Sequence, residues 1–264
     1  ESHVPGRHLN ALLSAEHAAT LPAGLWDINQ AFCAADWLAI HYQKKVVKTL
    51  QGGHVAAFLA AVGYLTYADV LSTPVMIGGI ISLMLFAVVN NALAVRGSWQ
   101  RKYLDYRTLA EGLRVQFYWA AAGVTSGSVS KYAHDNFLQK QDVELGWIRN
   151  VMRGASVDGM LVPLSPTHDG LGPVVREWIG VPGASGQLDY YLQTAARRAV
   201  QHRRTELLAS ICLWSGIGLS LLLALFARLL EGQLQNLMVA AMGLLSLTAA
   251  VHEAYAYKKA DKEL

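Results

Sequence analysis

The chain has 264 residues, 53% of them hydrophobic and only 16% charged, against about 25% charged in an ordinary soluble domain. Mean hydropathy is +0.26. This composition excludes a disordered chain, a nucleic-acid-coating protein and a disulfide scaffold, and a net charge of +3 is too small to call for a polyanionic partner.

The first residue is Glu1 rather than methionine, so a processed or truncated start is expected; residues 1–10 lack the apolar core of a signal peptide. Residues 1–50 read as a cytoplasmic segment whose amphipathic helix, residues 25–50, leads into a first span, with Gly52 and Gly53 offering a hinge. Cys33 on that helix, like Cys212 far downstream, reads as a buried free thiol.

Residues 51–96 read as a first transmembrane hairpin. A bilayer core of about 30 Å needs roughly 20 helical residues. Between Asp69 and Arg96 lie 26 residues without a formal charge. The preceding stretch, residues 52–68, is shorter and carries His54, yet it feeds a tight turn at residues 69–74. Residues 206–264 read as a second hairpin with a basic tail. It has 21 uncharged residues between Glu206 and Arg228 and 21 more between Glu231 and Glu253, turning near residues 228–235. A soluble bundle would show polar faces along such helices, and these have almost none.

Basic residues orient the hairpins. Lys44, Lys45, Lys48, Arg96, Arg101, Lys102 and Arg107 flank the first, and Arg197, Arg198, Arg203, Arg204, Lys258, Lys259 and Lys262 flank the second. The turns hold only Arg228. The positive-inside rule then places both termini and the middle segment in the cytoplasm. Tyr64 and Tyr67 suit the outer interface, and Trp99, Tyr255 and Tyr257 the inner one.

Small residues mark where helices touch, because in lipid close backbone approach replaces hydrophobic attraction. Cys212, Gly216, Ser220 and Ala224 recur every four residues, as do Gly53, Ala57 and Ala61, with Ala56 and Ala60 beside them. The polar groups inside the spans are candidates for a conduction path: Asn90 and Asn91, with Ser82 on the face shared by Gly79, Phe86 and Asn90, and Asp69 at the outer mouth. An interhelical hydrogen bond serves an intramembrane amide as well as pore lining does.

Residues 97–205 form a cytoplasmic helical region. Leu104, Leu109, Leu113 and Phe117 fall at helical spacing with Arg107, Glu111 and Arg114 between them. A second helix is predicted over residues 135–153, with Leu138, Leu145, Ile148 and Met152 as its stripe. A Pro- and Gly-rich stretch follows over residues 154–186. No Pro or Gly interrupts residues 187–214, so a third helix is predicted to run unbroken into the third span. Gln116, Tyr118, Trp119, Gln139, Gln141, Glu144 and Trp147 add an aromatic, amide-rich set of the kind that fixes a specific packing or an oligomer interface. The two halves repeat one plan without a residue-level repeat.

None of the nine histidines pairs at metal-ligand spacing. His252–Glu253 lacks the second histidine of a zincin helix, His168–Asp169 reads as turn chemistry, and the glycine-rich residues 180–186 match neither phosphate loop nor dinucleotide fingerprint. No serine sits in a nucleophile elbow. No enzyme, metal or cofactor is expected.

FCAADWLAIHYQ (32–43), DYRTLAEGLRVQFYW (105–119), NFLQKQDVELGWIR (136–149) and GQLDYY (186–191) together resemble the membrane half of bacterial proteins that carry an upstream SLOG domain, the Rossmann-like nucleotide sensor also found in TRPM channels. The helix-plus-hairpin plan with its R…AE.LR string is similar to SLATT effector domains, which have one hairpin where this chain has two. The resemblance implies an all-α membrane protein of the bacterial inner membrane. It would be a homo-oligomer whose pore opens or assembles on a cytoplasmic nucleotide signal, with the SLOG-type sensor lying before Glu1 or on another protein. It also implies a coupling layer of Arg107, Glu111, Arg114, Gln187, Tyr190 and Tyr191. The rival reading is a non-conducting anchor or scaffold for a sensor domain.

Overall fold

The computed structural model describes Leu12 and residues 23–70, 72–122, 146–157, 172, 175–180, 186–226 and 232–262. Among these residues the regular elements are all helical: α1 (Ala23–Asp69), α2 (Pro74–Arg96), α3 (Trp99–Ala121), α4 (Gly146–Val157), a π turn at Val175–Ile179, α5 (Gln187–Phe226) and α6 (Gln233–Asp261). The predicted start of the second cytoplasmic helix, with Leu138, Gln139, Gln141, Glu144 and Leu145, lies outside the described residues. So do His168–Asp169, most of the Pro- and Gly-rich stretch, and residues 227–231 of the second turn.

Helices α1, α2, α5 and α6 are each long and apolar enough to cross a membrane. α1 and α5, with 47 and 40 residues, would extend about 70 and 60 Å at 1.5 Å per residue, well beyond a bilayer core of about 30 Å. α1 runs without a break through Gly52 and Gly53, so the expected hinge is not there. α5 is continuous, as the absence of Pro and Gly predicts. α2 buries none of its residues, and Val75, Val88 and Val95 are 84, 66 and 68% exposed. Four such helices make this a membrane protein, since water would not tolerate apolar faces of that extent.

Local chemistry explains the ends. Pro74 opens α2 at a position where its missing N–H costs nothing, after an extended Thr73. The N–H of Gly97 bonds to the Leu93 carbonyl, and Ser98 follows at φ 51°. Gly186, before α5, has φ +96°, and a Cβ there would lie 2.6 Å from the Gly180 Cα, so only glycine fits.

The chain divides into two compact units, each built from two segments. One comprises Glu1–Gln43 and Arg101–Ala195. Its core joins Leu25, Ile28 and Phe32 of α1 to Leu109, Leu113 and Phe117 of α3 and Ile148 and Met152 of α4. Each such side chain contributes about 1.5–3 kcal/mol on burial.

The other unit comprises Lys44–Gln100 and Ala196–Leu264 and is held by close helix contacts. A Cβ on Gly63 of α1 would lie 3.2 Å from Ile80 of α2, and one on Gly52 would lie 3.5 Å from Asn90. α2 therefore runs antiparallel to α1. Gly243 of α6 meets Leu65, while Tyr255 bonds to Gln51 and packs on His54, so α6 is antiparallel to α1 as well. Ser220 of α5 touches the Met242 sulfur at 3.8 Å. Within the chain the buried pair on α1 is Ala56 and Ala60, beside the Gly53, Ala57 and Ala61 stripe, of which Gly53 and Ala61 are half-buried and Ala57 is exposed. On α5 Cys212 is buried, Gly216 is half-buried, and Ser220 and Ala224 are exposed. Gly243→Ile should cost about 1–3 kcal/mol, because the added branch meets Leu65 where a Cβ alone would lie 3.0 Å away. A lowered thermal midpoint in detergent checks this, and an unchanged midpoint would show that the α1–α6 contact is loose.

Candidate functional site

In the first unit, α1 and α3 run antiparallel, because aromatic and charged residues pair along their length. Tyr42 stacks on Tyr106 at 5.9 Å, and Asp36 faces Arg107. Further along, Arg114 lies over the Phe32 ring at 5.1 Å. Burial, then Tyr42 and then Asp105, raise the Tyr106 pKa above the ordinary tyrosine range.

The polar centre of the seam is a chain of four charged groups. Asp36, its side chain 8% exposed, lies 3.5 Å from one nitrogen of Arg107. The other Arg107 nitrogen lies 2.5 Å from Glu111, whose second oxygen lies 2.8 Å from Arg114. Glu111 thus holds two guanidinium groups in one carboxylate. Helical spacing dictates half of this, since Arg107, Glu111 and Arg114 sit at i, i+4 and i+7 on α3. Asp36 was missed at the sequence level. Its signal was there, a lone acid among Phe32, Ala35 and Ala39, all three buried.

Next to this chain opens a cleft of about 430 Å³. Arg107, Glu111 and Arg114 line it from α3, and Gln187, Tyr190 and Tyr191 from the first turns of α5. All six residues of the expected coupling layer therefore meet at one site. Phe32, Asp36 and Ile40 of α1 complete the wall, with Leu12 and Tyr118. Tyr118 donates to the Leu12 carbonyl at 2.7 Å and stacks on Trp178 at 4.9 Å, fixing that end. Behind the wall Gln116 donates to the Met152 carbonyl at 3.1 Å, while its own oxygen is buried without a partner among the described residues.

Comparisons with family models, curated proteins and solved structures give no match. What the cleft does has to follow from its residues. It balances two arginines against two carboxylates and adds two exposed tyrosines. An incoming anion would compete with Glu111 or Asp36 for a guanidinium, and a tyrosine face would receive a flat ring. Among the described residues no three His, Cys, Asp or Glu side chains converge as metal ligands.

The intramembrane candidates do not share one site. Asn90 donates to the Thr49 carbonyl of α1 at 2.9 Å, an interhelical bond. Asn91 is exposed, and its side chain makes no hydrogen bond among the described residues. Ser82 is exposed, its hydroxyl satisfied by the Gly78 carbonyl of its own helix at 2.8 Å. Asp69 is half-buried at the end of α1.

Proposed function

We propose that this protein is a signal-gated membrane effector: a homo-oligomer whose spans conduct ions when a nucleotide-type signal reaches the cleft. The observation that carries this reading is helix α5. It brings Gln187, Tyr190 and Tyr191 to the cleft with one end and carries the third apolar run with the other, without a break. Displacing Glu111 from its arginines would shift those first turns of α5, and a continuous helix transmits such a shift into the span. The signal biases gating only by as much as it prefers the open assembly.

In this reading the spans form two hairpins entered from the cytoplasm. The antiparallel contacts support it: Asn90–Thr49 and Gln51–Tyr255 bring Lys48, Arg96 and Lys258 toward one end of the helices. The start of the apolar run of α5, around His202 and Thr205, faces His252 and Ala256 of α6, which brings Arg203 there too. Exposed Asn91 supports oligomerisation, because an amide facing hydrocarbon needs a partner from another chain or a water-filled lumen. The SLOG-type sensor and the kinship with SLATT effectors belong to the same proposal, as does the bacterial inner membrane.

The test is ion flux from liposomes containing the purified oligomer, with and without nucleotides. Flux that depends on a nucleotide is expected. Asn91→Leu should change conductance while leaving the oligomer intact, and unaltered flux would remove Asn91 from the path. The Asn90–Thr49 bond favours a second reading, a non-conducting anchor in which intramembrane amides only tie helices together. A folded oligomer that passes no ions under every nucleotide tried would establish that second reading instead.

A further inference from the structure

Helix α5 leaves a long stretch uncovered where it approaches its apolar run. At 100° per residue, Arg197, Arg203, Arg204, Leu207, Ile211 and Trp214 fall within a sector of about 120°. All six are exposed: Leu207, Ile211 and Trp214 by 53, 63 and 67%, and the three arginines likewise. Among the described residues none of these arginines makes an ion pair. The nearest acid, Glu206, lies off this sector and is paired 3.2 Å from His202.

We propose that this stripe binds an anionic phospholipid. Its chemistry changes along the helix axis as a lipid's does, from guanidinium groups to aliphatic and aromatic side chains at Leu207. Arg203 and Arg204 sit about 5 Å before Leu207, and a headgroup layer is roughly 5–8 Å deep. Their forks match phosphate oxygens in a way that the compact ammonium of lysine does not. Arg197, about 15 Å before Leu207, lies within about a Debye length of the headgroups and adds its field. Leu207, Ile211 and Trp214 then offer the acyl chains a side wall. A second copy is a poor occupant, because copies in one bilayer share an orientation and would set arginine against arginine. α6 carries Lys258, Lys259 and Lys262 at its end, but there Glu253 and Asp261 are interspersed with them. The proposal requires only that α5 enter the bilayer, so it stands whether or not the protein conducts ions.

The test uses the full chain in vesicles of phosphatidylcholine alone and of phosphatidylcholine mixed with phosphatidylglycerol, followed by extraction and quantification of the lipid retained. Phosphatidylglycerol should be enriched over its bulk share. R203Q/R204Q should reduce that enrichment roughly tenfold or more, whereas the charge-matched K258Q/K259Q should leave it as it is. Equal loss in both variants would mean a diffuse surface charge and overturn the site, as would absence of enrichment in the unaltered protein. An independent readout needs no arginine variant. Brominated phosphatidylglycerol should quench tryptophan fluorescence more than brominated phosphatidylcholine, and Trp214→Phe should abolish the difference. Equal quenching by the two lipids would refute the proposal even if R203Q/R204Q failed to fold.

Discussion

Phe117→Ala is expected to destabilise the unit of Glu1–Gln43 and Arg101–Ala195 by about 3–5 kcal/mol. Phe117 has no solvent exposure and belongs to the cluster that joins α1, α3 and α4. Its ring meets Tyr118 edge-on at 5.3 Å, so the cavity would also loosen the residue that holds Leu12 and stacks on Trp178. Truncation removes the transfer energy of the ring and leaves a void that helices pinned on three sides fill poorly. Phe117→Leu keeps most of the volume and should cost less than about 1.5 kcal/mol. Hydrogen exchange locates the damage. Amides of α3 and α4 should lose protection in Phe117→Ala, while those of α2 and α6, which belong to the other unit, keep theirs. Loss of protection spread evenly over both units would mean that they unfold as one.

The spans were legible because a bilayer imposes a length and forbids charge, and both constraints are read residue by residue. The unbroken course of α5 was legible for a similar reason, since helix breakers are visible in the sequence. Rotation about the helix axis was not. Gly52 and Gly53, and Ala56 and Ala57, are adjacent small residues, and either member of each pair could have faced the neighbour. Packing against Phe86 and Asn90 selected Gly52, and with it the buried line through Ala56 and Ala60. The Gly52–Gly53 hinge failed as an expectation because glycine permits a bend without requiring one. Arg107, Glu111 and Arg114 could be grouped from their spacing. That Asp36 would join them depends on α1 running antiparallel to α3, a tertiary fact that local spacing does not carry.

Glu111→Gln is expected to change the response of the protein and leave its fold intact. The glutamine keeps the side-chain size but removes the charge shared by Arg107 and Arg114. Arg107 retains Asp36, while Arg114 is left over Phe32 without its carboxylate. Glu111 and Arg107 are both more than a third exposed, so loss of their pair should cost no more than about 1 kcal/mol in folding. The cleft gains one net positive charge, and an incoming anion no longer has a carboxylate to displace from Arg114, although Asp36 still holds Arg107. If the cleft gates the spans, half-maximal flux should move to lower nucleotide concentration by roughly fivefold, the equivalent of the ~1 kcal/mol that an incoming anion no longer needs to break the exposed pair. Arg114→Gln in the same background restores the charge balance and should bring the response back toward that of the unaltered protein. The double-mutant cycle then separates the Glu111–Arg114 contact from the sum of the single effects. If Glu111→Gln left the concentration dependence of flux unmoved in a folded oligomer, the four-charge chain would be a packing device of α1 and α3, and the signal would enter elsewhere.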